Sequence, residues 1–175
     1  MSLSDSAGKR NAGCTMNELG MKLLGRIPRL PFEIAAESSD GTAMVLKTDT
    51  IFVEDDIWKP FPTFLWLVCP RLKKLVSGLE NAGYITKFEE KLKVDMEFQE
   101  KFAESQRKIG EIRWKLALEK NNNLSPEIER VLRHTTIAGS RSLFGVKCLH
   151  AHLAHYLIYR DNPIGAEIFE MVGKT

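Results

Sequence analysis

The chain has 175 residues, 43% of them hydrophobic, and its 25 Lys/Arg against 23 Asp/Glu leave a formal charge of only +2. That length suffices for one ordinary core burying roughly 70% of the surface an unfolded chain exposes, and the near-balanced charge excludes a global field demanding nucleic acid or an anionic membrane. The longest unbroken apolar run, residues 64–69, is far short of the roughly 20 residues of a membrane helix; the N-terminus lacks the apolar stretch of a signal peptide.

Three cysteines is an odd count, pointing to reduced thiols rather than a disulfide framework. A cytoplasmic protein without membrane contact is expected. Residues 1–15 are rich in Ser, Gly, Asn and basic side chains with no hydrophobic period. They read as a disordered tail, with Met16 as native initiator, and residues 16–175 as a single α+β domain. The spacing predicts a short helix over 19–24, closed by Gly25 before Pro28 and Pro31 impose extended backbone. Residues 32–37, 43–47 and 50–54 are β-favouring runs, the first two joined by the turn signal Ser38-Ser39-Asp40-Gly41. Glu54-Asp55-Asp56 reads as a polar loop, and the continuously apolar run 63–68 as a buried strand. A small antiparallel sheet of three to four strands follows.

Beyond Pro70 the spacing turns helical. Leu72, Leu75, Val76 and Leu79 predict a helix over 71–81 that stops at Gly83. A short helix over 88–93 precedes a long charged one over 96–120, in which Phe98, Phe102, Ser105, Ile109, Ile112 and Leu116 alternate four and three apart. That heptad seam makes residues 98–116 a candidate surface for a second copy of the chain or for a helical protein partner. The pairs Glu97/Lys101, Glu104/Lys108 and Glu111/Lys115 mark the solvated side. Three asparagines at 121–123 break the helix, and Ser125-Pro126 starts another with a capping residue and proline at the first helical position. After the Gly139-Ser140 break, a last apolar helix over 147–159 ends near Asp161-Asn162-Pro163. The fold class expected is α+β, the small sheet covered by several helices including the long charged one.

The stretch 147–157 holds three of the four histidines and one of the three cysteines. At about 100° per residue on a regular helix, Cys148, His152 and His155 share one face and His150 points away, toward a hydrogen bond with a neighbouring element. Imidazole and thiolate are donors that a zinc-type ion prefers, and Cys69, at the end of the buried strand, completes a candidate metal set of Cys69, Cys148, His152 and His155. The same residues also fit a buried core face with satisfied hydrogen bonds, the commoner fate of such residues. Cys69 before Pro70 also falls at a helix N-terminus, which predicts a candidate catalytic pair of Cys69 as nucleophile and His155 as base. Arg71 and Lys147 are candidate anion ligands. No Walker loop, GxGxxG, HExxH or GxSxG occurs, which removes the commonest nucleotide and hydrolase assignments. Whether the chain is an enzyme stays open at this point.

Residues 61–72 (FPTFLWLVCPRL), 146–150 (VKCLH), His155 and 162–165 (NPIG), preceded by 25–29 (GRIPR), stand in an order that resembles a bacterial family catalogued as domain of unknown function 501. The resemblance covers most of the chain from about Leu19 to Gly165. It implies a bacterial cytoplasmic protein with no established activity. It further implies a cysteine at the place of Ser38 and a non-histidine at His152, so that a family metal set using Cys69, Cys148 and His155 would here have lost one ligand and gained another.

Overall fold

Helix α1 (Met16–Leu24) opens the part of the chain that the computed structural model describes, residues 15–140, 142 and 144–173. Thr15 and Glu18 form a reciprocal capping box at its start, and Gly25 closes it at φ 71°, a backbone conformation glycine adopts without penalty. Thr15 therefore belongs to this helix. The disordered tail expected for the residues before it lies outside the described residues.

Five strands follow: β1 (Phe32–Glu37), β2 (Ala43–Thr48), β3 (Ile51–Glu54), β4 (Ile57–Pro60) and β5 (Leu65–Leu67). They form a three-stranded antiparallel sheet in the order β1-β2-β5 and a separate β3-β4 hairpin. The expected polar loop at residues 54–56 is a tight turn instead. Asp55 and Asp56 hold φ of 53° and 60°, the left-handed pair of a two-residue hairpin turn, and aspartate tolerates that region better than most residues. Residues 57–60 thus pair back as a strand that the prolines had obscured. In β2 the consecutive residues Val45 and Leu46 are both fully buried. Successive side chains point to opposite faces, so both faces of the sheet are covered. Val45, Leu65 and Leu67 join the helical core, while Leu46, Phe32 and Val68 pack with Leu19 and Leu23 of α1.

The remainder is helical: α2 (Pro70–Asn81), α3 (Tyr84–Val94), α4 (Met96–Lys120), α5 (Pro126–His134), a 3-10 turn (Ile137–Gly139), α6 (Leu149–Tyr159) and α7 (Pro163–Gly173). The α+β class is as expected. Helix α3 starts four residues before the predicted position because Gly83, at φ 77°, caps it directly. Helix α4 matches its predicted span, but its seam faces inward: Phe98, Phe102, Ser105 and Ile109 are buried, and Ile112 and Leu116 pack against the same core. This corrects the partner surface expected at 98–116, since the apolar stripe is covered by the chain's own helices. On the outer side Glu97 pairs with Lys101 at 2.6 Å and Glu104 with Lys108 at 3.8 Å, whereas Glu111 turns to Arg133 of α5. Asp95 caps α4 by accepting the Phe98 amide at 3.0 Å. Replacing it (Asp95→Ala) should lower stability by about 1 kcal/mol, read as a shift of the urea midpoint; an unmoved midpoint would mean the cap is replaced by water.

Helix α6 is apolar on nearly every side, which requires burial. It lies across β5 and β2 and is flanked by α7 and α2. Among the described residues no helix is long and apolar enough to cross a membrane.

Candidate metal centre

The start of α6 sets the site. Cys148 is the N-cap residue, with extended backbone at φ −150° and ψ 113°, so it does not follow the 100° step that places the residues after it. This breaks the predicted common face of Cys148, His152 and His155. Cys148 Sγ lies 3.8 Å from His150 Nδ1, and Nδ1 lies 3.2 Å from Glu80 Oε1. Glu80 comes from the last turn of α2, and the same oxygen accepts the Leu149 amide at 2.8 Å. A carboxylate at that position also complements the positive end of α6. The three donor atoms, one sulfur, one nitrogen and one oxygen, all lie within 4.8 Å of one another, and theirs is the one such group among the described residues.

The other ring nitrogen of His150 is held from α2, with Nε2 at 3.1 Å from the Lys73 carbonyl and 3.2 Å from Ser77 Oγ. A carbonyl only accepts, so Nε2 carries the proton. The Glu80 carboxylate likewise only accepts, so in the charged ring Nδ1–H donates toward Glu80 and Cys148, and a bound ion would take the place of that proton. The hydrogen bond with Cys148, the Lys73 carbonyl and the charge of Glu80 raise the imidazole to about 9 against the opposing effect of burial. This corner of the fold attracts a cation. The sequence-based expectation that His150 points away and bonds a neighbouring element holds for its contacts with Lys73 and Ser77 on α2, but it faces Cys148 as well.

The other predicted site residues go elsewhere. His152 is fully buried, and its Nδ1 accepts from Asn162 Nδ2 at 2.9 Å. Burial lowers its pKa to about 4. His155, also buried, packs obliquely against Tyr159 with ring centroids 5.2 Å apart, and its Nδ1 is 3.6 Å from Asp161 Oδ1. That distance is too long for a hydrogen bond. Burial, helped by the nearby His152 and Arg113, lowers its pKa to about 3, so the imidazole is neutral and the contact with Asp161 is no ion pair. Cys69 is the N-cap of α2, buried in the main core, and its thiol caps no backbone amide. Among the described residues no three of Cys69, Cys148, His152 and His155 bring their donor atoms within 4.8 Å of one another. Arg71 is exposed in the first turn of α2; Lys147, also exposed, reaches the Gly139 carbonyl at 3.3 Å.

Sequence reasoning missed Glu80, Arg113 and Asn162. Glu80 carries no local signal, because its role arises only where α2 meets α6. Arg113 is hidden among the many charges of α4, yet it is 2% exposed. Asn162 was visible as part of a helix stop but not as the partner of His152.

No curated protein and no solved structure matches the chain. A family model described as "Protein of unknown function (DUF501)" matches residues 34–170, a span that contains most of β1, β2 to β5, α2 to α6 and every residue of the Glu80–Cys148–His150 group, and the chain belongs to that family.

Proposed function

We propose that the protein is a metal-binding domain of the cytoplasm, with Glu80, Cys148 and His150 as ligands of a zinc-type divalent ion. The observation that carries this reading is the fixed orientation of His150: the Lys73 carbonyl holds Nε2–H while Nδ1 faces Cys148 Sγ and Glu80 Oε1. Zinc-binding histidines are oriented by such a second hydrogen bond to a carbonyl or carboxylate. The donor set also suits zinc, which takes thiolate, imidazole and carboxylate. With one ligand from α2 and two from α6, the ion would tie these helices together. Three protein ligands leave a fourth position for water or a substrate, and an ion held in this way can lower the pKa of bound water or polarise a carbonyl. The expected cytoplasmic setting keeps the thiol reduced.

Apo protein titrated with zinc chloride and followed by native mass spectrometry should take up about one ion per chain. Cys148→Ser should weaken binding by about tenfold or more, whereas His152→Gln should leave it unchanged. No uptake by the folded apo protein rejects the site. Equal loss in His152→Gln would return the ligand set to the one suggested by helical periodicity.

A further inference from the structure

Arg113 is a buried guanidinium without an acidic partner. It projects from the middle of α4, is 2% exposed, and pairs with no carboxylate among the described residues. Its terminal nitrogens donate to the carbonyls of Thr135 and Thr136, at and just beyond the end of α5. The partial negative charge of a helix C-terminus compensates part of a full cation, on the order of half a charge. Nε is left without a hydrogen bond, and so are both ring nitrogens of His155.

Arg113 and His155 line the same cavity. Its volume is about 20 Å³, where about 10–15 Å³ suffices for one water, so it admits a small polar head and no sugar or nucleotide. Phe64, Leu65, Ile109 and Ile137 supply buried apolar walls, while half-exposed Thr63, Ala138 and Ala151 lie toward solvent. A buried charge without a counter-charge is strongly unfavourable; a water in the pocket could accept from both unpaired groups, but an anion that accepts from both also supplies the missing charge. Neither ring nitrogen of His155 is committed to a hydrogen bond, Asp161 Oδ1 standing 3.6 Å from Nδ1, so an anion in the cavity can draw the proton to Nε2. The apolar walls favour an anion with a carbon end over a fully hydrated inorganic ion.

We propose that the Arg113–His155 cavity binds a small carboxylate, of formate or acetate size, with its oxygens on the two donors and its carbon toward Phe64 and Ile109. This site is separate from the Glu80–Cys148–His150 group and does not depend on it.

Sodium acetate is titrated into the full-length protein with chelator present, at constant ionic strength balanced by sodium chloride, while melting temperature and the ring nitrogen resonances of His155 are followed. Acetate should raise the melting temperature saturably and shift the His155 resonances, and chloride should do neither. Ala151→Leu, which fills the mouth of the cavity and leaves both donors in place, should weaken the acetate response by about tenfold or more. Equal responses to acetate and chloride, unmoved His155 resonances, or a folded Ala151→Leu protein that still responds would overturn the proposal. Should that variant not fold, the wild-type His155 resonances decide alone.

Discussion

Acidification from pH 7 to pH 5 should destabilise the fold by several kcal/mol, because His152 and His155 are buried uncharged. Their folded pKa values, about 4 and about 3, lie below the ordinary 6.5. For a base lowered in this way, the stabilising contribution is complete above the unfolded value and is lost as pH falls through the folded one. Below about pH 6.5 the unfolded chain takes up two protons that the native state refuses, each worth about 1.4 kcal/mol per pH unit, so the pair accounts for on the order of 4 kcal/mol by pH 5. Of the groups facing His155, Arg113 and His152 oppose its charging and Tyr159 is neutral, while Asp161 Oδ1, 3.6 Å from Nδ1, favours it without a hydrogen bond. Asp161, raised mainly by burial, and His150, raised by its Cys148 hydrogen bond, bind protons more readily when folded and soften the loss. Against a total stability of about 5–15 kcal/mol, the protein should approach unfolding near pH 4. Urea midpoints at pH 7, 6 and 5 test this, with His155→Leu expected to reduce the slope by about half. A midpoint that does not move between pH 7 and pH 5 would show that the two imidazoles charge without unfolding, and hence that this part of the core admits water.

The elements that were legible in the sequence are those whose period is local. Helix α4 declares itself through its heptad, α5 through Ser125-Pro126, and β1 to β2 through β-favouring runs around a turn. The β3-β4 hairpin was not legible, because Asp-Asp is a weaker turn signal than Asn-Gly or Asp-Gly and Pro60 argued against a strand. The histidine helix was legible as a helix but not as a site. Its periodicity correctly buries His152 and His155, whereas Cys148, at the helix start, has non-helical backbone. A helical projection fails at a cap by construction. Glu80 was beyond any local argument, being 68 residues from Cys148 in the chain. The same holds for Arg113, whose burial depends on where α5 ends. The seam shows the converse: its pattern was read correctly, and only the tertiary structure tells whether a stripe of that kind faces a partner or its own core.

Replacing Gly165 by alanine should destabilise the protein by about 3 kcal/mol or more. Gly165 lies in the first turn of α7, where a Cβ would stand 2.4 Å from the His152 carbonyl oxygen and 2.4 Å from Tyr156 Cβ. Both obstacles belong to α6, and one is backbone, so neither can rotate away. The helices must separate, and α6 is already fixed on its other side by the sheet. Separation also strains Asn162, which accepts the Gly165 amide through Oδ1 at 3.1 Å and donates to His152 Nδ1 at 2.9 Å. Losing the second bond leaves a fully buried imidazole nitrogen unpaired, which by itself costs about 1–3 kcal/mol. Gly78 is the matched control. It sits in the interior of α2, where an added Cβ would meet nothing within 4 Å, so Gly78→Ala should stabilise by about 0.5–1 kcal/mol through helix propensity. Opposite signs for one chemical change, measured by urea unfolding, separate close helix contact from backbone entropy. A mild effect at Gly165 would mean that α7 docks loosely, and the burial that keeps His152 neutral in acid would then be less complete.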